Sequence, residues 1–170
     1  MGQIILVTGG VRSGKSAFAE RYAAHCAAQS GTRVAYIATA QVYDAEMRQR
    51  VDLHQTRRPA DWTTYEAPFD TEDAMRAAGA SHGVLLFDCI TMFLSNDMLQ
   101  YPEEEQERDS FALHVEERIG ALICAAQDVS ATTIFVTNEV GAGIVPEHRL
   151  GRLYRDMAGL ANQQIARSAA

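Results

Sequence analysis

Short apolar runs and longer stretches with helical periodicity alternate along the whole chain. Apolar runs at residues 4–7, 33–38, 84–87 and 132–137 are bounded by turn-forming or polar residues, which is typical of buried strands. Between and after them, the spacing of apolar residues predicts helices at residues 17–28, 44–57, 69–80, 90–99, 111–126 and 147–166. Strands that alternate with helices are joined by crossovers, so the pattern predicts an α/β fold with a mostly parallel sheet flanked by helices.

Two polar segments interrupt this alternation. Residues 59–68 form a polar connection with the single tryptophan and a short alternating piece at residues 64–66. Residues 100–109 are charged, and we interpret them as a solvated connection rather than an acidic binding site. In the helix that follows, five apolar residues recur at helical spacing and are expected to cover a sheet face: Phe111, Val115, Ile119, Leu122 and Ile123.

Length and composition favour a single domain. With 170 residues, of which 47% are hydrophobic, residues 1–170 are expected to form one unit with a sizeable core. No apolar run approaches the roughly eighteen residues of a membrane span, and the first strand begins without a charged leader, so we expect a cytoplasmic protein. The net charge of -7 argues against binding nucleic acid through a basic surface.

The three cysteines are Cys26, Cys89 and Cys124, and they are scattered without a CxxC pair. This arrangement argues against a disulfide framework or structural zinc and fits a reducing compartment. We interpret all three as small core residues.

The first apolar run opens into a glycine-rich loop. Residues 9–16 fit the pattern GxxxxGK(S/T), with Gly9, Gly14, Lys15 and Ser16 at the defining positions. A strand before this pattern and a helix after it are the context of a P-loop, whose backbone N–H groups bind phosphate at the positive end of the helix dipole. Lys15 is then expected to reach the outer phosphates of a nucleotide, and the Ser16 hydroxyl to ligate Mg²⁺.

Two other strands end in residues that suit the same site. Ala38, Thr39 and Ala40 follow the second run, and ligands of open α/β sheets bind beyond the carboxyl ends of the strands. The run at residues 84–87 ends in Asp88, the Walker B form of a strand that delivers a carboxylate toward the nucleotide Mg²⁺. A fourth strand opens into the glycine-rich segment that starts with Asn138, a second candidate wall of the site.

The predicted helix at residues 44–57 carries a histidine among arginines. Arg50, His54 and either Arg57 or Arg58 fall on neighbouring turns. Positive neighbours keep an imidazole neutral and therefore nucleophilic, and the same arginines could hold a phosphate beside it. Because Met47, Val51 and His54 also share a helix face, a core histidine is the alternative interpretation.

With these segments in place, the chain resembles the bifunctional adenosylcobinamide kinase and adenosylcobinamide-phosphate guanylyltransferase family of cobalamin biosynthesis. The resemblance spans nearly the whole chain. It rests on separated motifs at residues 7–16, 36–39 (Tyr-Ile-Ala-Thr), 46–47 with His54 and residues 58–59, 88–91 (Asp-Cys-Ile-Thr), and 137–147 with residues 155–156.

The resemblance implies that the enzyme phosphorylates adenosylcobinamide with ATP or GTP. It then transfers GMP from GTP to that phosphate through a GMP-histidine at His54, giving adenosylcobinamide-GDP and pyrophosphate. It also implies a homotrimer, and a last apolar strand that the residues up to Ala170 do not include. The nucleotide contacts implied are Gly9, Gly10, Val11, Arg12, Ser13, Gly14, Lys15, Ser16, Ala38, Thr39, Ala40, Gln55, Thr56, Arg57, Arg58, Glu66 and Asp88.

Other interpretations of the residues stay open at this point. Glu66 could contact a sugar or base, or be an ordinary exposed carboxylate. A different P-loop kinase for a small metabolite would explain the Walker motifs but not the histidine and arginine cluster. A switch GTPase should carry an Asn-Lys-x-Asp motif, and the sequence has only Asn138-Glu139. A helper ATPase of nucleic acids is disfavoured by the net charge.

Overall fold

The computed structural model describes residues 2–41, 45, 48, 49, 51, 55, 56, 58–102 and 109–170. In chain order the elements are β1 (Ile4–Gly9), α1 (Lys15–Ser30), β2 (Val34–Ala38), β3 (Thr63–Glu66), α2 (Thr71–Gly79), β4 (Val84–Asp88), α3 (Ile90–Met98), α4 (Asp109–Asp128), β5 (Thr132–Asn138) and α5 (Arg149–Ser168). The helix predicted at residues 44–57 lies largely outside the described residues. Those of its residues that are described are helical: Ala45, Arg48, Gln49, Val51, Gln55 and Thr56.

The strands form one sheet with the order β1-β5-β4-β2-β3, and every strand pair in it is parallel. This confirms the predicted α/β architecture with a parallel sheet. β5 lies between β1, which leads into the glycine-rich loop, and β4, which ends in Asp88. At the outer edge of β1, the backbone N–H of Ala170 donates to the carbonyl of Ile4 at 2.9 Å.

Successive strand residues point to opposite faces of the sheet, and both faces are covered. On one face the strands pack against Ala19, Ala23 and Ala27 of α1, whose small side chains let the helix lie close to the sheet. On the other face Phe87 and Phe135 meet edge to face, with ring centroids 5.2 Å apart, beneath α2 to α5. The five apolar residues predicted on α4 are all buried there, which confirms that this helix covers the sheet.

Three local features depart from or refine the sequence analysis. The alternating piece within residues 59–68 is β3, a strand at the sheet edge that is mostly exposed and therefore lacks an apolar run. The interpretation of the cysteines is wrong for Cys124, because it lies on the solvent side of α4 and is exposed. Within the described residues, no helix combines the length and apolar character that crossing a bilayer requires.

Charged side chains join α2, α3 and α4 at the margin of the core. Arg118 of α4 donates to Asp97 of α3 (Nε to Oδ1, 3.2 Å) and to Glu72 of α2 (Nη1 to Oε1, 2.5 Å). His114 lies one turn before Arg118 and contacts the other Asp97 oxygen at 2.8 Å. The side chains of Asp97 and Glu72 are only 8% and 13% exposed, so the arginine pairs with two carboxylates that water reaches poorly.

We expect Arg118→Ala to lower the free energy of unfolding by about 3 kcal/mol, because it removes the guanidinium partner of two poorly solvated carboxylates. Arg76→Ala is the matched control. Arg76 pairs with Asp73 and Asp128, but its side chain is 46% exposed, so the loss should stay below about 1 kcal/mol. Urea denaturation followed by circular dichroism measures both changes. Equal losses in the two variants would contradict the interpretation of the Arg118 network.

Candidate active site

The loop after β1 has the backbone of a phosphate-binding loop. Gly14 ends it with φ +84°, and Arg12 also adopts a positive φ of 56°. This left-handed conformation explains the need for glycine at position 14, immediately before α1 begins at Lys15. The first turn of α1 contains no acidic residue, so its free N–H groups are available to an anion. Lys15 Nζ donates to the carbonyl of Gly10 across this loop at 3.1 Å.

A cavity of about 640 Å³ opens beside this loop, at the carboxyl ends of the strands. Asp88 reaches it from the end of β4, directly beside Ala38, its register partner on β2. Most of the site residues implied by the resemblance line the cavity: Val11, Arg12, Ser13, Gly14, Lys15, Ser16, Ala38, Ala40, Arg58, Glu66 and Asp88. The chain therefore brings together residues from four separate segments.

The remaining implied residues differ in their positions. Gly9 ends β1 and Gly10 begins the loop, and neither residue lines the cavity. The Thr39 side chain is buried, and its hydroxyl donates to the carbonyl of Cys89 at 2.9 Å and accepts from the N–H of Cys89 at 2.8 Å. This pair of bonds ties the end of β2 to the segment after Asp88. The Thr39 backbone is engaged as well, because its N–H donates to the carbonyl of Asp88 at 3.3 Å and its carbonyl accepts from Asn96 Nδ2 at 2.7 Å. Thr39 therefore holds this end of the sheet together and does not line the cavity.

The segment around the predicted catalytic histidine is described in part. His54 and Arg57 lie outside the described residues, as does Arg50. Val51 lines the cavity, and Gln55 and Thr56 are exposed. Gln55 Nε2 donates to Glu66 Oε1 at 3.4 Å. The described residues on either side of His54 thus reach the rim of the same cavity.

Tyr36 of β2 was not identified as a site residue from the sequence, yet it lines the cavity. Its hydroxyl donates to Asp88 Oδ2 at 2.8 Å, and the Arg58 guanidinium carbon lies 3.5 Å from its ring centroid. Burial, followed by the neighbouring Asp88 charge, raises the pKa of Tyr36, so its hydroxyl stays protonated and keeps donating. Arg58 Nη1 also donates to Thr64 Oγ1 at 3.2 Å.

Cys89 also lines the cavity without having been predicted there. Burial, with a smaller contribution from the Asp88 carboxylate, raises the pKa of its thiol to about 11. A thiol with so high a pKa carries little thiolate near neutral pH, so it is a poor nucleophile. We therefore assign Cys89 to the wall of the cavity and not to the chemistry.

Asn138, at the end of β5, lines the cavity on the side expected from the sequence. Its side chain donates to Thr91 Oγ1 at 2.9 Å, which links the ends of β5 and α3. Two arginines of α5 hold the loop that follows. Arg155 donates to the carbonyls of Gly141 and Gly143, and Arg152 donates to those of residues 146 and 147. These bonds hold the loop after Asn138 against α5.

Comparisons with known proteins agree with this geometry. A family model described as "Cobinamide kinase / cobinamide phosphate guanyltransferase" (CobU) matches residues 5–170. The chain is 40% identical to the "Bifunctional adenosylcobalamin biosynthesis protein CobU" of Escherichia coli strain K12, over 98% of this chain and 91% of that protein. It is 42% identical to the "Bifunctional adenosylcobalamin biosynthesis protein CobP" of Pseudomonas aeruginosa, over 95% of this chain and 86% of that protein.

Among solved structures, the fold is similar to that of a KaiC-like protein, PH0186, from Pyrococcus horikoshii OT3. The TM-score is 0.50 at 18% identity, covering 92% of this chain and 68% of that chain. At this identity the similarity concerns the fold alone. It agrees with a P-loop NTPase-like arrangement of the sheet and its helices.

Proposed function

The chain belongs to the cobinamide kinase / cobinamide phosphate guanylyltransferase family, and we propose that it catalyses both reactions in one cavity. In the first, adenosylcobinamide is phosphorylated with ATP or GTP. In the second, GMP passes from GTP to the new phosphate, giving adenosylcobinamide-GDP and pyrophosphate. One observation carries this proposal: Lys15, Ser16, Asp88 and Arg58 all line a single cavity of about 640 Å³, a volume typical of small-molecule sites.

Phosphoryl transfer needs positioning and charge neutralisation more than covalent chemistry. The backbone N–H groups of residues 10–14 would bind the β- and γ-phosphates at the start of α1, and Lys15 would exchange its bond to Gly10 for a phosphate oxygen. The acceptor hydroxyl then attacks the γ-phosphorus while the bond to the β-phosphate oxygen breaks. The leaving nucleoside diphosphate keeps that electron pair.

The oxygen donors in the cavity fit magnesium. Mg²⁺ binds through one or two protein oxygens together with phosphates and water, and the Ser16 hydroxyl and Asp88 carboxylate are such donors. Among the residues that the structure describes, no group of three His, Cys, Asp or Glu side chains could hold a metal ion without such additional ligands. We therefore assign Ser16 and Asp88 to a nucleotide-bound Mg²⁺, which would neutralise charge on the phosphates when bound.

For the second reaction, we assign the nucleophile to His54. A neutral imidazole nitrogen attacks the α-phosphorus of GTP, an N–P bond forms, and pyrophosphate leaves with the electrons of the broken P–O bond. A phosphate oxygen of adenosylcobinamide phosphate then displaces the histidine. Arg58 would stabilise the charge that develops on the phosphates. The cavity contact of Val51, three residues before His54, and the contact of Gln55 with Glu66 support this assignment.

Several broader features of the function belong to the same proposal. We assign residues 1–170 to one domain, because both proposed reactions draw on the same sheet edge. The acceptor is bulky, so we place it in a groove between subunits of a homotrimer. The enzyme would act in the cytoplasm, where its nucleotide substrates are found.

Product analysis tests the proposed function directly. We expect incubation with adenosylcobinamide and GTP to release one GDP for each acceptor phosphorylated and one pyrophosphate for each acceptor guanylylated. Omitting adenosylcobinamide should stop sustained release of both products. GDP without pyrophosphate would indicate a plain kinase. Steady phosphate release without the acceptor would indicate a GTPase, and either result would overturn the proposal.

A further inference from the structure

Tyr36 contacts two charged groups of the cavity with different parts of one side chain. It lies in the middle of β2, 3% exposed, with Leu86 of β4 and Thr64 of β3 as its register partners. Asp88 follows Leu86 by two residues and therefore lies on the same face of the sheet. The Tyr36 hydroxyl donates to Asp88 Oδ2 at 2.8 Å, which leaves the second carboxylate oxygen for other partners.

The face of the same ring holds Arg58. The guanidinium carbon lies 3.5 Å from the ring centroid, and Nη1 donates to Thr64 on the neighbouring strand. Arg58 itself lines the cavity, and among the described residues its Nε is buried without a hydrogen-bond partner. Within the described residues, no ion pair joins Asp88 to Arg58, although both side chains belong to residues that line the cavity.

We propose that Tyr36 is a positioning residue for both reactions: its hydroxyl orients the Asp88 carboxylate, and its ring holds Arg58 apart from that carboxylate. The inference rests on the proposed function of this cavity. A carboxylate with one oxygen hydrogen-bonded cannot rotate freely, and such outer partners commonly affect metal affinity by tenfold or more. A planar guanidinium stacked on a ring is likewise held in one plane, ready for phosphate oxygens. Direct pairing of Asp88 with Arg58 would instead neutralise both groups.

Two substitutions separate the two contacts. Tyr36→Phe removes the hydroxyl and keeps the ring, whereas Tyr36→Met removes both at similar volume. Tyr65→Phe is the matched control, because Tyr65 lies on β3 beside Ile37 and therefore on the opposite face of the sheet. Each variant is first checked for native folding by circular dichroism.

Metal binding tests the proposed role of the Tyr36 hydroxyl in orienting Asp88. The probe is Mn²⁺, titrated by electron paramagnetic resonance in the presence of the β,γ-imido analogue of GTP. We expect Tyr36→Phe to weaken Mn²⁺ binding about tenfold, while Tyr65→Phe stays within about twofold of wild type. In activity assays, excess Mg²⁺ should restore phosphorylation by Tyr36→Phe, which a general loss of structure would not allow. Unchanged Mn²⁺ affinity would overturn the role of the hydroxyl.

Labelling with radioactive GTP tests the proposed role of the Tyr36 ring in holding Arg58. At saturating Mg²⁺, Tyr36→Phe should form the GMP adduct within about twofold of wild type, and Tyr36→Met should lose about tenfold or more because Arg58 loses its support. Wild-type labelling by Tyr36→Met would overturn this role. If Tyr36→Met does not fold, labelling of Arg58→Lys is measured instead. Reduced labelling would support the role of the Tyr36 ring, and full labelling would contradict it. If the wild type forms no adduct, the proposed guanylyl transfer is rejected, and the role of the Tyr36 ring is rejected with it. The Mn²⁺ titration would still decide the role of the Tyr36 hydroxyl.

Discussion

Replacing His54 with alanine is expected to abolish guanylyl transfer and to leave most of the kinase activity. Losing a covalent nucleophile typically costs about 10⁴-fold or more, because no other group can form the intermediate. In the proposed mechanism direct γ-phosphoryl transfer uses Lys15, Ser16 and Asp88 instead, so its rate should fall by no more than about threefold. Incubation with α-labelled GTP, followed by detection of acid-labile GMP on the protein, measures the first effect. Phosphorylation of adenosylcobinamide by ATP measures the second.

His25→Ala is the matched control for this experiment. His25 is an exposed histidine on α1, so its removal should change neither the GMP adduct nor the kinase rate. If His54→Ala is labelled as well as the wild type, another residue is the nucleophile. If both reactions fall together, the histidine supports the cavity as a whole, and the separation of roles is wrong.

The second large effect is expected from Lys15→Ala, which should slow both reactions by about 10²- to 10³-fold. Losing one preorganised positive group at the transferring phosphates typically has this magnitude. In the proposed mechanism both reactions use a triphosphate bound at residues 10–14, so both rates should fall. Arg21→Ala on the same helix is the control, because Arg21 is exposed and its loss should change either rate by less than about twofold. An unchanged rate of ATP-dependent phosphorylation in Lys15→Ala would remove the lysine from the mechanism.

Lys15 can also be examined without a substitution, because it is the only lysine in the sequence. An amine-reactive reagent can therefore modify only Lys15 and the N-terminal amine. We expect GTP to protect Lys15 and to leave the modification of the N-terminal amine unchanged, as followed by mass spectrometry. Equal modification of Lys15 with and without GTP would place the nucleotide elsewhere.

The features that could be predicted from the sequence depend mostly on residues that are close together in the chain. The loop at residues 9–16 is recognisable because its glycines and lysine fall within eight residues at fixed spacing, and the buried strands β2, β4 and β5 are visible in the sequence as apolar runs. The five buried residues of α4 were predictable because helical spacing directly reports a covered face. Asp88 was predictable because it follows an apolar strand and a P-loop precedes it.

What the sequence could not predict depends on pairing over long separations. Tyr36 contacts Asp88 across 52 positions, and nothing near either residue specifies that β2 and β4 are neighbours. Local sequence patterns likewise do not predict that β5 lies between β1 and β4. Thr39 illustrates the converse, because its place after a strand suggested a ligand contact while its hydroxyl is committed to the Cys89 backbone. β3 was missed as a strand because an exposed edge needs few apolar residues.

The two proposed reactions share one anion site but differ in what attacks the nucleotide. The P-loop amides and Lys15 would serve both reactions, which explains why one cavity suffices. The difference lies in whether the acceptor hydroxyl reaches the γ-phosphorus or an imidazole reaches the α-phosphorus. In the proposed mechanism Arg58 belongs mainly to the second reaction, since it lines the cavity and follows His54 by four residues in the sequence. Its support by Tyr36 would then couple the two halves of the site.

A crystal of the protein soaked with GTP and Mg²⁺ would show whether the P-loop and His54 act on the same nucleotide. We expect phosphates bound by the backbone of residues 10–14, and electron density continuous between the His54 imidazole and the phosphorus of GMP. Intact GTP in the P-loop, with His54 packed in the apolar core or turned to a remote face in every subunit, would contradict this expectation.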